Sequence, residues 1–203
     1  MTDSFWSWTL ADFRDRIASA NPQPSGVPVA AVSAAFGLGL VLMCLEITHP
    51  GAASEDVAAG RQLLERLSAH ADRDATAYSD FMAAMALPKG TAEELALRRR
   101  RMQETLAAAT KSPLAAARDI VAALDLAART AESCKVAILS DLAAGVDLLA
   151  ASLSAMLRTA DVNLAEISDA VVQEGFRAER SRLATLGESH VRKMFSSPTG
   201  SFP

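Results

Sequence analysis

Four side chains in the sequence have the types and spacing from which proton-transfer chemistry is built. Asp74 and Tyr78 stand one helical turn apart, Lys89 follows a Leu-Pro pair, and Asp141 comes directly after Ser140 where a helix opens. A carboxylate on a rigid helix, near a base or an ammonium, can hold and pass on a proton if the backbone fixes its position. A blander reading stands beside this one, because an Asp at a helix start commonly serves only as a cap. The three histidines, His49, His70 and His190, lack ligand-spaced neighbours, so no metal is expected. His49, after Glu46 and Thr48, has the chemistry of a proton carrier, yet a helix C-terminus favours a His through its dipole alone. The run Arg98–Arg101 wraps around a helix and reads as solvated or paired with Glu93, Glu94 and Glu104, an anion-binding use for one or two of them staying open. The common serine-hydrolase, zinc-protease, phosphate-loop and dinucleotide signatures are absent.

The elements that must position these groups read as helices. Trp6, Leu10, Phe13 and Ile17 predict a first helix capped by Thr2 or Asp3. The loop Asn21–Pro28 breaks it, and an apolar second helix runs from about Pro28 to Thr48, before His49-Pro50-Gly51. Ala31, Ala35 and Gly39 recur every four residues along that helix and offer a face for close backbone approach. Residues 54–87 predict one long helix. Thr91 and Glu94 form a capping-box signature for a fourth helix over 92–110, Ser112-Pro113 opens a fifth, and two more cover 141–161 and 164–195, with a frayed tail at 196–203. The expected fold is all-α, an elongated bundle of six to seven helices in one domain spanning 1–203.

Composition narrows the function. Half of the residues are apolar but only 5% are aromatic, which suits tightly packed helices. A net charge of −4 and a pI near 5.4 argue against nucleic acid as a partner. Cys44 and Cys134 have no ligand or redox spacing, so reduced thiols and a cytoplasmic location are expected. The N-terminus lacks the charge and apolar order of a signal peptide. Val29–Leu45 carries no charge but is Ala/Gly-rich and short for a bilayer, so a buried core helix is expected instead of a membrane span.

The segment DATAYSDFMAAMALPKGTAEE, Asp74–Glu94, resembles the D-x-x-A-[YF]…L-P-K segment of the formimidoyltetrahydrofolate cyclodeaminase / methenyltetrahydrofolate cyclohydrolase family. Further elements follow in the family's order: Pro22-Gln23-Pro24, Met43 to Thr48, Arg99 to Gln103 with Leu106 and Ala109, Pro113-Leu114, and Ile138-Leu139-Ser140-Asp141. The likeness covers roughly residues 5 to 190. Three ligand-side elements depart from it. The family's P-x-P-G-G-G loop keeps one glycine here, in Pro24-Ser25-Gly26-Val27-Pro28; the Lys/Arg-rich stretch after the threonine is missing; and Cys134-Lys135 replaces a Gly-Asn pair. Val27 and Pro28 in that loop would remove conformations and one N–H donor.

The resemblance implies a homodimeric enzyme acting on the one-carbon bridge of a tetrahydrofolate derivative, with no metal or other cofactor. As a cyclohydrolase, a hydrolase, it would add water to the methenyl carbon and open the ring to 10-formyltetrahydrofolate; as a cyclodeaminase, a lyase, it would close the ring and expel ammonia. It implies Asp141 as acid/base or cation stabiliser and Lys89 as proton donor or anchor of the glutamate tail. Ser25, Gly26, Asp74, Tyr78 and Ser140 would line the substrate. Two other readings compete because the loop is rewritten: a same-fold enzyme with a different substrate, and a catalytically lapsed paralogue that serves as a folate-binding or assembly subunit.

Overall fold

The computed structural model describes residues 4–50 and 55–196, apart from the side chains of residues 75, 195 and 196. A short 3-10 turn, Phe5–Ser7, precedes α1 (Leu10–Ile17), α2 (Gly26–Thr48), α3 (Glu55–Met85) and α4 (Ala92–Ala131). A second 3-10 turn, Val136–Ile138, leads into α5 (Leu139–Leu164), and α6 (Ala170–Ser196) closes the described chain. The described residues contain no strand, as the alanine-rich, aromatic-poor composition predicts. At about 1.5 Å per residue the 40-residue α4 is roughly 60 Å long, which makes the molecule elongated.

Helix α2 lies at the centre of the bundle, with α5 antiparallel on one side and α3 and α4 on the other. Its buried residues include Ala31, Leu38, Val41 and Cys44, all fully covered, and they share one core with Leu67, Leu114, Ile120, Leu124, Leu149 and Met156. The closest approach is between α2 and α5, where a Cβ added to Gly37 or Gly145 would lie 2.7 Å from the other glycine's carbonyl oxygen. Only glycine permits this crossing. The close approach is therefore at Gly37 and not at Gly39, which faces open space: the two glycines lie 200° apart around the helix, and only the first points at α5.

Three boundaries differ from the sequence reading. Thr9, not Thr2 or Asp3, caps the first α-helix by accepting from Asp12 N–H, because Phe5–Ser7 forms a separate 3-10 turn pinned to α3. That pin is Asp72, which accepts from Ser4 Oγ at 2.7 Å and from Phe5 N–H at 2.9 Å. The expected fourth and fifth helices are one: α4 runs straight through Pro113. The carbonyl that Pro113 leaves without a donor is that of Ala109, and Asn163 Nδ2 donates to it at 3.1 Å. The last helix starts at Ala170 instead of 164, since Asp169 caps Val171 and Val172 N–H, and Gln103 holds the preceding turn by bonding Glu166 and Ser168. The frayed tail expected at 196–203 lies, after Ser196, outside the described residues.

Helices α2 and Val136–Leu164 are each long and apolar enough to cross a membrane by length and composition alone. The apolar window of α2 is 67% buried, as a core helix should be, whereas that of the second is only 33% buried. The exposed apolar residues of these two segments are Phe36, Met43 and Ile47, which share one face of α2 by their spacing, and Leu148 and Val136 on the second, Leu148 lying beside Gly37 of α2.

Candidate functional site

The N-terminus of α2 carries the most unusual carboxylate environment. Ser25 occupies the N-cap position but makes no capping bond. Its hydroxyl donates instead to Asp74 Oδ2 on α3, at 3.1 Å. The first backbone bond of α2 runs from Val29 N–H to Ser25 O, so the Gly26 and Val27 amides have no intrahelical partner, and Pro28 contributes no N–H. This end of the helix thus presents free donors and a positive dipole beside a carboxyl group. Burial pushes the Asp74 carboxyl above the usual carboxylate range, and the bond from Ser25 offsets this only in part.

Val27 and Pro28, read as loop residues, belong to the first turn of α2 and are buried in the core. They are packing residues. The ligand-side loop ends at Ser25. Gly26 is exposed at the first helical position, with space for a side chain around it. Tyr78, one turn after Asp74, is 39% exposed and lines a cavity of about 630 Å³ between α3 and the N-terminal segment.

The remaining predicted residues lie elsewhere. Asp141 sits in the first turn of α5 and Ser140 beside it, at the opposite end of α2. Its neighbour there is Cys44, whose thiol is pushed up to about 12 by burial and further by the nearby Cys134 and Asp141. That end of α2 is closed by Lys135 Nζ, which donates to Ile47 O at 2.7 Å, and by His49 Nε2, 3.1 Å from Ser133 Oγ. Roughly 30 Å of helix separates Asp141 from Asp74. Lys89 is exposed in the turn between α3 and α4, past the end of the helix that carries Asp74. Within one chain, then, Ser25, Gly26, Asp74 and Tyr78 come together, while Asp141 with Ser140, and Lys89, do not join them.

The arginine run is engaged locally: Arg98 donates to Met85 O, and Arg100 and Arg101 pair with Glu104. Among the described residues no group of three or more His, Cys, Asp or Glu could hold a metal ion.

A family model described as formiminotransferase-cyclodeaminase matches residues 9–182. The chain belongs to this family. Among the family's proteins it is 36% identical, over 85% of both chains, to the methenyltetrahydrofolate cyclohydrolase of Methylorubrum extorquens. It is 28% identical to the formimidoyltransferase-cyclodeaminase of Gallus gallus, covering 87% of this chain but 33% of that much longer protein. The crystal structure of formiminotetrahydrofolate cyclodeaminase from Thermotoga maritima superposes with a TM-score of 0.81, covering 94% of this chain and 95% of the other at 23% identity, which establishes a shared fold. Three of the family-like positions turn out to be structural, since Gln103 clamps the α5–α6 turn and Ala109 and Pro113 form the mended break in α4. Sequence reasoning missed the roles of Asp72 and Asn163. Each acts across more than fifty residues, and no local pattern marks it.

Proposed function

We propose that this protein is a folate one-carbon enzyme that hydrolyses 5,10-methenyltetrahydrofolate to 10-formyltetrahydrofolate. The observation that carries the reading is the half-buried Asp74 carboxyl, held by Ser25 at the open N-terminus of α2. The cyclohydrolase is favoured over the cyclodeaminase because the sequence is more similar to the Methylorubrum enzyme, at 36% identity, than to the Gallus gallus protein at 28% or the Thermotoga cyclodeaminase at 23%.

The chemistry needs one group that takes and returns a proton. Water adds to the methenyl carbon, which shares its positive charge with N5 and N10, and loses a proton to the Asp74 carboxylate. The neutral adduct then opens: its hydroxyl proton leaves to solvent, the C=O bond forms, the C–N5 bond breaks, and N5 takes the proton back from Asp74. One proton is released overall. A carboxyl raised above its ordinary value by burial suits the return of the proton as well as its uptake. No metal or redox cofactor enters this reaction, and the substrate is the only folate required.

The same reading includes a homodimer. The apolar side chains of Phe36, Met43, Ile47, Leu148 and Val136 are uncovered, and a second copy is the partner that would bury them.

The test follows the methenyl absorbance with and without protein, for the natural chain and for Asp74→Asn. A protein-dependent decay that falls roughly 100-fold in the variant supports the assignment, since general acid–base groups contribute factors of that size. Binding without turnover would leave a folate-binding subunit, and release of ammonia from a formimino substrate would move the protein to the cyclodeaminases.

A further inference from the structure

Helix α2 carries no charge from Gly26 to Leu45, yet its own chain does not enclose it. The exposed or half-buried positions are 26, 29, 33, 36, 40, 43 and 47, steps of three and four that draw one stripe down the whole helix. Apart from Gly39, every other residue as far as Leu45 is buried. A helix face turned permanently to water is ordinarily polar or charged. This one has a single hydroxyl, Ser33 Oγ, which already donates to Val29 O at 2.9 Å. A stripe so narrow is closed by one more helix and not by a bilayer, because the rest of α2 lies in the core.

Side-chain size along the stripe identifies that helix. The first half is small, Gly26, Val29 and Ser33, and the second is bulky, Phe36, Leu40 and Met43. Nothing lies within 4 Å of where a Cβ on Gly26 would stand. Laid on itself in reverse, the stripe matches Gly26 with the partner's Met43, Val29 with the partner's Leu40 and Ser33 with the partner's Phe36, so each large side chain meets a smaller one. A parallel copy sets bulk against bulk and leaves the hollow at Gly26 empty. Reversal also brings the electronegative C-terminus of one α2 to the open amides at the start of the other.

This pairing overlays the two ends of α2. One end holds Ser25 bonded to Asp74; the other holds His49, the exposed C-cap of α2, with Nε2 3.1 Å from Ser133 Oγ. In the register above the partner's His49 falls roughly 7 Å beyond Ser25 along the axis of α2. Helix α3 runs antiparallel to α2, with Gly60 against Leu42 and Asp74 against Ser25, so it continues past Asp74 to Tyr78 on that same side.

We propose that the active site is shared between two antiparallel copies, with the partner's His49 as the second proton-carrying group beside Ser25 and Asp74. It rests on the folate reading above and supplies the group that Asp74 lacks within one chain. With Nε2–H donating to Ser133 Oγ, Nδ1 is the basic atom of the imidazole. As the adduct opens, its hydroxyl proton passes to that nitrogen, the C=O bond forms, the C–N5 bond breaks and N5 takes the proton held by Asp74. The imidazolium then gives its proton to solvent.

The test is complementation between two crippled chains. His49→Gln keeps a donor for Ser133 but cannot carry a proton, and it and Asp74→Asn should each lower hydrolysis of 5,10-methenyltetrahydrofolate roughly 100-fold. Co-expressed in equal amounts, about half of the dimers combine one chain of each kind, and in these one natural Asp74 faces one natural His49. About a quarter of the natural turnover should therefore return, whereas sites closed within one chain recover nothing. The register is read without activity, from a chain carrying both Gly26→Cys and Met43→Cys. Within one chain these positions are about 26 Å apart, so mild oxidation should link two chains, with the natural protein as the blank. No covalent dimer would overturn the antiparallel seam. A fully active His49→Gln variant, or a covalent dimer without recovered turnover, would overturn the share of His49 in the site. A covalent dimer from a protein whose natural form leaves the methenyl compound untouched would overturn the folate reading, and the chemistry of His49 with it, while the seam stands.

Discussion

Asn163 supplies, from α5, the hydrogen-bond donor that Pro113 withholds within α4. The Ala109 carbonyl would ordinarily accept from residue 113, and here it accepts from Asn163 Nδ2 at 3.1 Å. Helix α4 can therefore stay continuous over 40 residues with a proline in its middle.

This pairing predicts a coupling. Asn163→Ala should lower stability by about 1–2 kcal/mol, since a half-buried carbonyl loses its partner. In a Pro113→Ala background the backbone N–H returns to serve Ala109, and the same substitution should then cost much less. Urea melts of the four proteins measure the difference; equal costs in both backgrounds would show that Asn163 matters for another reason.

The same residues show what could and could not be read in advance. The helices, their caps at Thr91 and the burial of α2 follow from periodicity and capping chemistry, which are local. Pro113 was legible as a break and wrong as a boundary, because its repair comes from Asn163, fifty-four residues after the Ala109 carbonyl that it serves and on another helix. The site divides similarly. Asp74 and Tyr78 were legible as neighbours one turn apart, whereas the partnership of Asp74 with Ser25 is a contact between elements. The roles expected of Asp74, Lys89 and Asp141 came from the family resemblance, and a resemblance in motifs does not reveal that within one chain Asp141 lies at the far end of α2.

Asp119 anchors α4 to α3 and makes stability depend on acid pH. Burial would push its carboxyl up, but the hydrogen bonds from His70 Nε2 at 3.0 Å and Arg66 Nε at 2.9 Å outweigh this and hold it below the usual range. A carboxylate whose folded value is depressed stabilises the fold above its unfolded value and ceases to do so as pH falls through the folded one. Chemical denaturation from pH 6 downward should show stability declining below the ordinary carboxylate value of 3.8. Asp119→Asn should lower stability at neutral pH by about 1–3 kcal/mol, leaving the nearly buried His70 without its charged partner, and should flatten that acid limb. An unchanged acid limb would remove Asp119 as its cause.

The exposed stripe on α2 makes a prediction about assembly. Phe36 is 48% exposed and packs edge to face with Trp6 at 6.3 Å, so it is accessible without belonging to the core. Phe36→Glu puts a charge in the middle of the apolar stripe and should yield a folded species near the chain mass of 21.4 kDa by light scattering, against twice that mass for the natural protein. A natural protein that already scatters as a monomer would refute the dimer.

Asp74 and Asp141 are distinguished by what their amide replacements do as pH changes. The Asp74 carboxyl is raised by burial, so its protonated form is favoured in the folded state; the stability linked to it is present below the unfolded value, ordinarily 3.8, and is lost as pH rises through the folded value. Turnover runs the opposite way, because accepting a proton from water requires the ionised form, and it should climb with pH through the same interval. Asp74→Asn should remove both trends, losing roughly 100-fold in turnover while melting at an equal or higher temperature near neutral pH. Asp141, in the first turn of α5, complements the helix dipole, so Asp141→Asn should lower stability by about 0.3–1 kcal/mol and keep most of the turnover. Measured pH profiles of kcat and of melting for both variants decide between them. If Asp141→Asn is instead the inactive one and Asp74→Asn retains the natural profile, the proton-handling role belongs at the other end of α2.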